Sequence, residues 1–179
     1  KLVELSSVEN NLVRIVIPAL SKHAVFQDDL IKKHAGQSLV QRAIGKARSS
    51  GLTEQSILIV TDLDEVCLVA ERNGAHPIYQ VGESVDLFDV LRQYLTQVAD
   101  DQINESDFLL LSPYAPLVTS EELVDAYRAF VSESIDVLRP VRQESHRIFV
   151  EHVRALDELA MAAPDKNLTL DSLAFLIFK

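Results

Sequence analysis

Short apolar runs rich in β-branched residues alternate with longer segments of helical period along most of the chain, and this alternation predicts an α/β fold. The runs include "LVRIVI", "SILIV" and "DFLLL", each too short for a helix and compatible with a strand covered on both faces. Glycines and helix-capping residues fall between the segments. Together these features predict a three-layer α/β/α sandwich around a Rossmann-like, mostly parallel sheet. At 179 residues and 47% hydrophobic content, the chain can bury one substantial core, so a single domain over 1–179 is expected.

"LVRIVI" is the first strand. "SLVQRAIGKARSSG" places Leu39, Val40, Ala43, Ile44 and Ala47 on one helical face, with Lys46 and Arg48 near its end and Gly51 as its stop. "SILIV" is the second strand. In "TDLDEVCLVAERNG" the Asp62–Glu65 spacing is that of a capping box, Val66, Val69 and Ala70 face inward, and Gly74 ends the helix. "HPIYQV" follows as a strand, and 84–99 has helical period through Val85, Phe88, Leu91, Leu95 and Val98. "DFLLLSP" is the most apolar strand and is expected at the sheet centre. Thr119 and Glu122 form a second capping box ahead of "LVDAYRAFV". Beyond it "IDVLRPV", "RIFVEHV" and "LAFLIF" read as strands, with a short helical piece around 155–162, so the last part is expected to be mixed and partly antiparallel.

A net charge of −10, with no long basic run, argues against nucleic acid as a partner. Cys67 is the single cysteine, and neither a signal-peptide pattern nor a membrane-spanning apolar run is present, so a cytoplasmic protein without membrane attachment is expected. The chain starts at Lys1 and stops just after "LAFLIF", which points to a segment of a longer polypeptide.

The order of the pieces resembles the CMP-sugar synthetase or acylneuraminate cytidylyltransferase family. "IPA" ends the first strand, "AGQSLVQRAI" is similar to that family's "GGKPLIEHTI", and "ILIVTDLDEV" to its "VVVSTDDEEI". "NGAHPIYQ" is similar to "YGAEVPFLR", "FLLLSPYAPLVT" to "VVLLQPTSPLRT", and "DSLAFLIFK" to "PNGAIYIFK". The resemblance implies a fold of the nucleotide-diphospho-sugar transferase type. For an active member it also implies CTP and an acidic sugar as partners and Mg²⁺ as cofactor, with the metal-binding aspartates falling largely beyond the end of this chain.

In that family the loop after the first strand reads approximately R-x-G-S-K-x-I-P-x-K-N, and its amides and cations hold the triphosphate. By position the resemblance marks Ala19, Leu20, Ser21, Lys22, Gln80 and Ser112 as nucleotide-site residues. Leu20 stands for the arginine, Ala24 and Asp29 for the lysines, and Leu30 for the asparagine. Tyr114 and Ala115 replace a Thr-Ser pair, while Val118 and Gln80 each replace an arginine. Each lost charge-assisted hydrogen bond is worth about 1.5–3 kcal/mol, which predicts a cytidylyltransferase-like domain degenerate in catalysis, serving assembly, regulation or weak ligand binding. No catalytic residue is assigned. The alternative is an active cytidylyltransferase in which Lys22, Lys32 or Lys33 replaces the missing cations.

Asp62 and Asp64 have the D-x-D spacing of a metal-dependent glycosyltransferase, a third reading, although helix capping by Asp62 explains the pattern more simply. Lys22, His23, Lys32, Lys33 and His34 read either as an anion site or as a solvated charged loop, with Asp28 and Asp29 opposing the field. The five histidines have no metal-ligand spacing with Cys67, which is expected to be a small buried thiol. Arg139, Arg142 and Arg147 lie where the family meets its acidic sugar or its second subunit. A homodimer surface, or contact with other domains of the same polypeptide, is the favoured role.

Overall fold

The computed structural model describes residues 13–21, 28–53, 57–79, 107–144, 168–171 and 174–178, with backbone alone for 141–144 and 168–171. The expected helix over 84–99, the strand "RIFVEHV" and the helical piece near 155–162 lie outside the described residues.

Strand β1, Val13–Ala19, is buried at six of its seven positions, as a strand covered on both faces must be. Helix α1, Leu39–Ser49, begins at a capping box: the Gln41 amide donates to Ser38 Oγ (3.2 Å) and the Ser38 amide to Gln41 Oε1 (3.0 Å). Val40, Ala43, Ile44 and Ala47 are its buried face. Strand β2, Leu58–Thr61, leads to helix α2, Asp64–Arg72, and strand β3, His76–Tyr79. Gly74, at φ 69°, turns the chain between them, and a Cβ there would lie 3.0 Å from Arg48 Nη2. Strand β4, Asp107–Leu111, is buried throughout. Helix α3, Ser120–Ser132, starts at the expected Thr119–Glu122 box, with the Glu122 amide 3.2 Å from Thr119 Oγ1 and the Thr119 amide 2.7 Å from Glu122 Oε2. Strands β5 (Val137–Leu138), β6 (Val141–Glu144), β7 (Leu168–Asp171) and β8 (Phe175–Phe178) complete the described chain.

The main sheet has six strands in the order β3-β2-β1-β4-β8-β5. β1, β2, β3 and β4 run parallel, whereas β8 is antiparallel to β4 and β5 to β8. The mostly parallel α/β fold and the antiparallel finish therefore match expectation. β4 lies at the centre, beside β1. β6 and β7 form a separate antiparallel pair; β7, the segment "LTLD", was not anticipated.

Alternation along β1 divides the core. Ile15, Ile17 and Ala19 meet the apolar faces of α1, α2 and α3, including Ile44, Val66, Leu123 and Phe130. Val16 and Leu20 belong to the opposite face with Leu58, Val60, Phe108 and Leu110. On that face Phe108 stacks on Phe178 with ring centroids 5.4 Å apart. Asp107, buried on the helical side, accepts a 2.9 Å hydrogen bond from Tyr127 Oη, so this carboxylate is not stranded in the core.

Two expectations need correction. Asp62 does not cap α2: the N-cap is Leu63, which makes no side-chain cap bond. The turn into the helix is instead made by Thr61 Oγ1, which accepts from the Leu63 amide at 3.1 Å. Cys67 is half-buried rather than buried, because it lies one position from the inward-facing Val66 on the α2 surface.

Candidate functional site

The chain steps outward from β1 through β2 to β3 and then returns to the other side of β1 as β4. Such a reversal leaves a crevice at the carboxyl ends of the two central strands, the usual place for a ligand in an open α/β sheet. Its walls here are the segment after β1, the 112–119 turn after β4, and the start of α1.

The β1 wall is drawn inward and tied down. Ala19 is fully buried, and Leu20, at 1% exposure, points into the face opposite the helices. Ser21 then donates twice to Asp62, from its amide to Oδ1 (2.7 Å) and from its hydroxyl to Oδ2 (2.5 Å). Asp62 therefore anchors the β1 exit through both of its carboxylate oxygens. Further on, Asp28 adopts φ 62° and its carbonyl accepts from the amides of Ile31 (3.1 Å) and Lys32 (2.7 Å). This turn drops Leu30, 1% exposed, into the main core.

The β4 wall is fixed by its own turn. The Ser112 amide donates to Ala174 O (2.9 Å), Ser112 Oγ accepts from the Tyr114 amide (3.2 Å), and Val118 packs against the main core. Lys46 reaches from α1 to donate to Ala115 O at 2.5 Å. Partial burial, and then Arg42, lower the Lys46 pKa, while Glu122 opposes them.

A side-chain contact also joins the β1 and β4 walls. Tyr114 Oη donates to Asp29 Oδ1 at 2.9 Å, linking residues 85 positions apart. Burial first, and then the Asp29 carboxylate, raise the Tyr114 pKa, so the phenol stays a neutral donor. The crevice is bridged by the chain's own side chains.

No family model matches the chain, and no curated protein does. Solved structures do. CMP:2-keto-3-deoxy-manno-octonic acid synthetase, solved in complex with CTP, superposes with a TM-score of 0.69 over 94% of this chain and 74% of its own, at 11% identity. The fold is that of the cytidylyltransferases. A 4-diphosphocytidyl-2C-methyl-D-erythritol synthase from Anaerococcus prevotii matches with a TM-score of 0.63 at 11% identity, over 94% of this chain and 71% of its own. A cytidylyltransferase from Leptospira borgpetersenii serovar Hardjo-bovis matches with a TM-score of 0.58 at 16% identity, over 86% of this chain and 65% of its own.

Within this cytidylyltransferase fold, Ala19, Leu20, Ser21 and Ser112 do converge at the carboxyl ends of β1 and β4. Lys22, Ala24, Gln80 and Arg147 lie outside the described residues. Arg139 is exposed beyond β5, and Arg142 lies on β6 opposite Leu170 of β7, which is not part of the six-stranded sheet. Asp64 is exposed and takes a hydrogen bond from Tyr79, whose pKa its charge raises. Among the described residues no group of three or more His, Cys, Asp or Glu is placed to hold a metal ion. Burial first, and then Asp64 and Glu71, raise the Cys67 pKa, which disfavours the thiolate. The Tyr114–Asp29 bridge and the Lys46 contact were missed by sequence reasoning. The basic end of α1 and the exchange of the expected lysine at 29 for aspartate and of the expected threonine at 114 for tyrosine were their only signals.

Proposed function

We propose that this chain is a cytidylyltransferase-fold unit that does not transfer nucleotides and that serves assembly or regulation, as part of a larger polypeptide or a homodimer. The observation that carries this reading is the Tyr114–Asp29 bond across the crevice. A triphosphate seated between β1 and β4 would meet a carboxylate and a phenol already bonded to each other. The resemblance calls for cations at 20, 29 and 118. Leu20 faces the core, Asp29 is anionic, and Val118 packs inward. Three missing charge-assisted bonds, at about 1.5 kcal/mol each, weaken an anionic ligand by roughly a thousandfold.

Titration calorimetry with CTP and magnesium, together with a turnover assay using 2-keto sugar acids, tests the reading. It predicts no heat of binding below millimolar CTP and no pyrophosphate release. Micromolar, magnesium-dependent CTP binding would overturn it and favour the second reading, an active cytidylyltransferase. That alternative draws on the likeness to a synthetase solved with CTP and on the lysines at 32 and 33. On this reading Arg139 and Arg142 serve a subunit or domain contact rather than a sugar pocket; in support, Arg139 follows β5 and Arg142 lies on β6, outside the six-stranded sheet. Among the described residues no helix is long and apolar enough to cross a membrane. A reducing, cytoplasmic setting fits the lone thiol of Cys67.

A further inference from the structure

We propose that Arg14, at the amino end of β1, is the receptor for a carboxylic acid with a flat apolar body, bound at the foot of the sheet. Arg14 is buried, at 8% exposure, yet its Nε–H has no hydrogen-bond partner, and among the described residues no ion pair reaches the guanidinium. A cation withdrawn from water without a partner is strongly destabilising, so a folded chain that keeps one calls for an anion from elsewhere. Asp107, on the adjacent strand, does not supply it. It pairs with Val13, whose side chain faces the helices, and there it accepts from Tyr127.

The surroundings select the kind of acid. Alternation along β1 turns Arg14 to the face of Val16 and Leu20, away from α1, α2 and α3. On that face the registers set Arg14 beside Phe108 of β4, Phe108 beside Phe178 of β8, and Phe178 beside Val137 of β5. Beyond the guanidinium this row is apolar, and Phe108 and Phe178 stack with their planes 16° apart. It also opens toward one side, from Phe108 at 6% exposure through half-buried Phe178 to Val137 at 58%. Three strand spacings separate its ends, about 14 Å. A monocarboxylate neutralises the single positive charge, whereas a dianion would leave an excess charge among aromatic rings. Its two oxygens match the Nε and Nη hydrogens of the guanidinium side by side. Arg14 lies five residues before Ala19, about 16 Å down β1, so the site shares no residue with the β1–β4 crevice.

Benzoate titrated into the full chain, with benzamide as its uncharged counterpart, tests the site. Benzoate should give saturable amide shifts at 13–15 and 107–109 and raise the melting temperature by about 4 °C at a tenfold excess over its Kd. Benzamide should do neither. Arg14→Met removes an unpaired charge, so without ligand it should melt no lower than the parent, and it should bind benzoate about tenfold more weakly. Arg14→Lys keeps the charge but loses the planar fork, and its affinity should fall between the two. Arg128→Met, on the exposed side of α3, should bind benzoate as the parent does. The proposal is overturned by an absence of saturable shifts, by equal effects of benzoate and benzamide, or by equal affinities in the parent and Arg14→Met. A melting temperature for Arg14→Met well below the parent's would also overturn it, by showing that the guanidinium is already held. Micromolar CTP binding with shifts at Ser21 and Ser112 defeats the closed-crevice reading alone, and the foot of the sheet still stands if benzoate moves 13–15 in the parent and fails to do so in Arg14→Met.

Discussion

Tyr114 shows what a single hydroxyl does when it meets a carboxylate at a half-buried position. Removing it in Tyr114→Phe deletes one neutral-to-anionic hydrogen bond while keeping the ring packed on the core, so a loss of about 1.5 kcal/mol in unfolding free energy is expected from denaturant midpoints. The pH dependence has a definite sign. The phenol pKa is raised in the folded chain above its ordinary 10.0. Above pH 10 the unfolded chain therefore releases this proton first, and stability falls as pH rises further. Tyr114→Phe should flatten that alkaline decline; an unchanged slope would show that the phenol does not carry it. At this scale the sequence exposed only half of the arrangement. Leucine at 20 and aspartate at 29 could be recognised as the wrong residues for a triphosphate loop. That residue 29 would be bonded to residue 114 could not, because the pairing depends on two loops meeting across the sheet.

The three helix starts show when local spacing is a sufficient guide. Ser38–Gln41 and Thr119–Glu122 fold into reciprocal capping boxes, since neither cap has a competing partner at hand. Asp62–Glu65 has the same spacing, but the exit of β1 brings Ser21 within reach of Asp62, and two bonds from Ser21 displace the cap. A long-range partner won over a local one. Thr119→Ala should cost about 1 kcal/mol and speed amide exchange in the first turn of α3. Asp62→Ala should instead speed exchange at Ser21 and leave the first turn of α2 as protected as in the parent chain. Faster exchange confined to α2 would restore Asp62 to a capping role. The missed β7 has another cause: among the described residues its four pair with β6, outside the six-stranded sheet, and no long apolar run marks it.

For the whole molecule, the parallel half was legible because strands covered on both faces leave continuous apolar runs, and β4 could be placed at the centre from "FLLL" alone. The pairing of β8 between β4 and β5 was beyond reach, because short strands of two to four residues carry no signal of partner or direction. Leu20 links the core to the crevice. Its side chain is packed with Val16, Leu58, Val60 and Phe108, and Leu20→Arg would carry an unpaired guanidinium into that face. We expect a loss of about 3 kcal/mol or more in unfolding free energy and no gain in CTP affinity. A variant as stable as the parent and newly able to bind CTP would mean that the position can turn toward the crevice. Leu20 thus sets a one-way preference at the exit of β1: leucine at this position is stabilised by staying in the core, whereas a charged side chain there would have to turn out of it and leave a void behind.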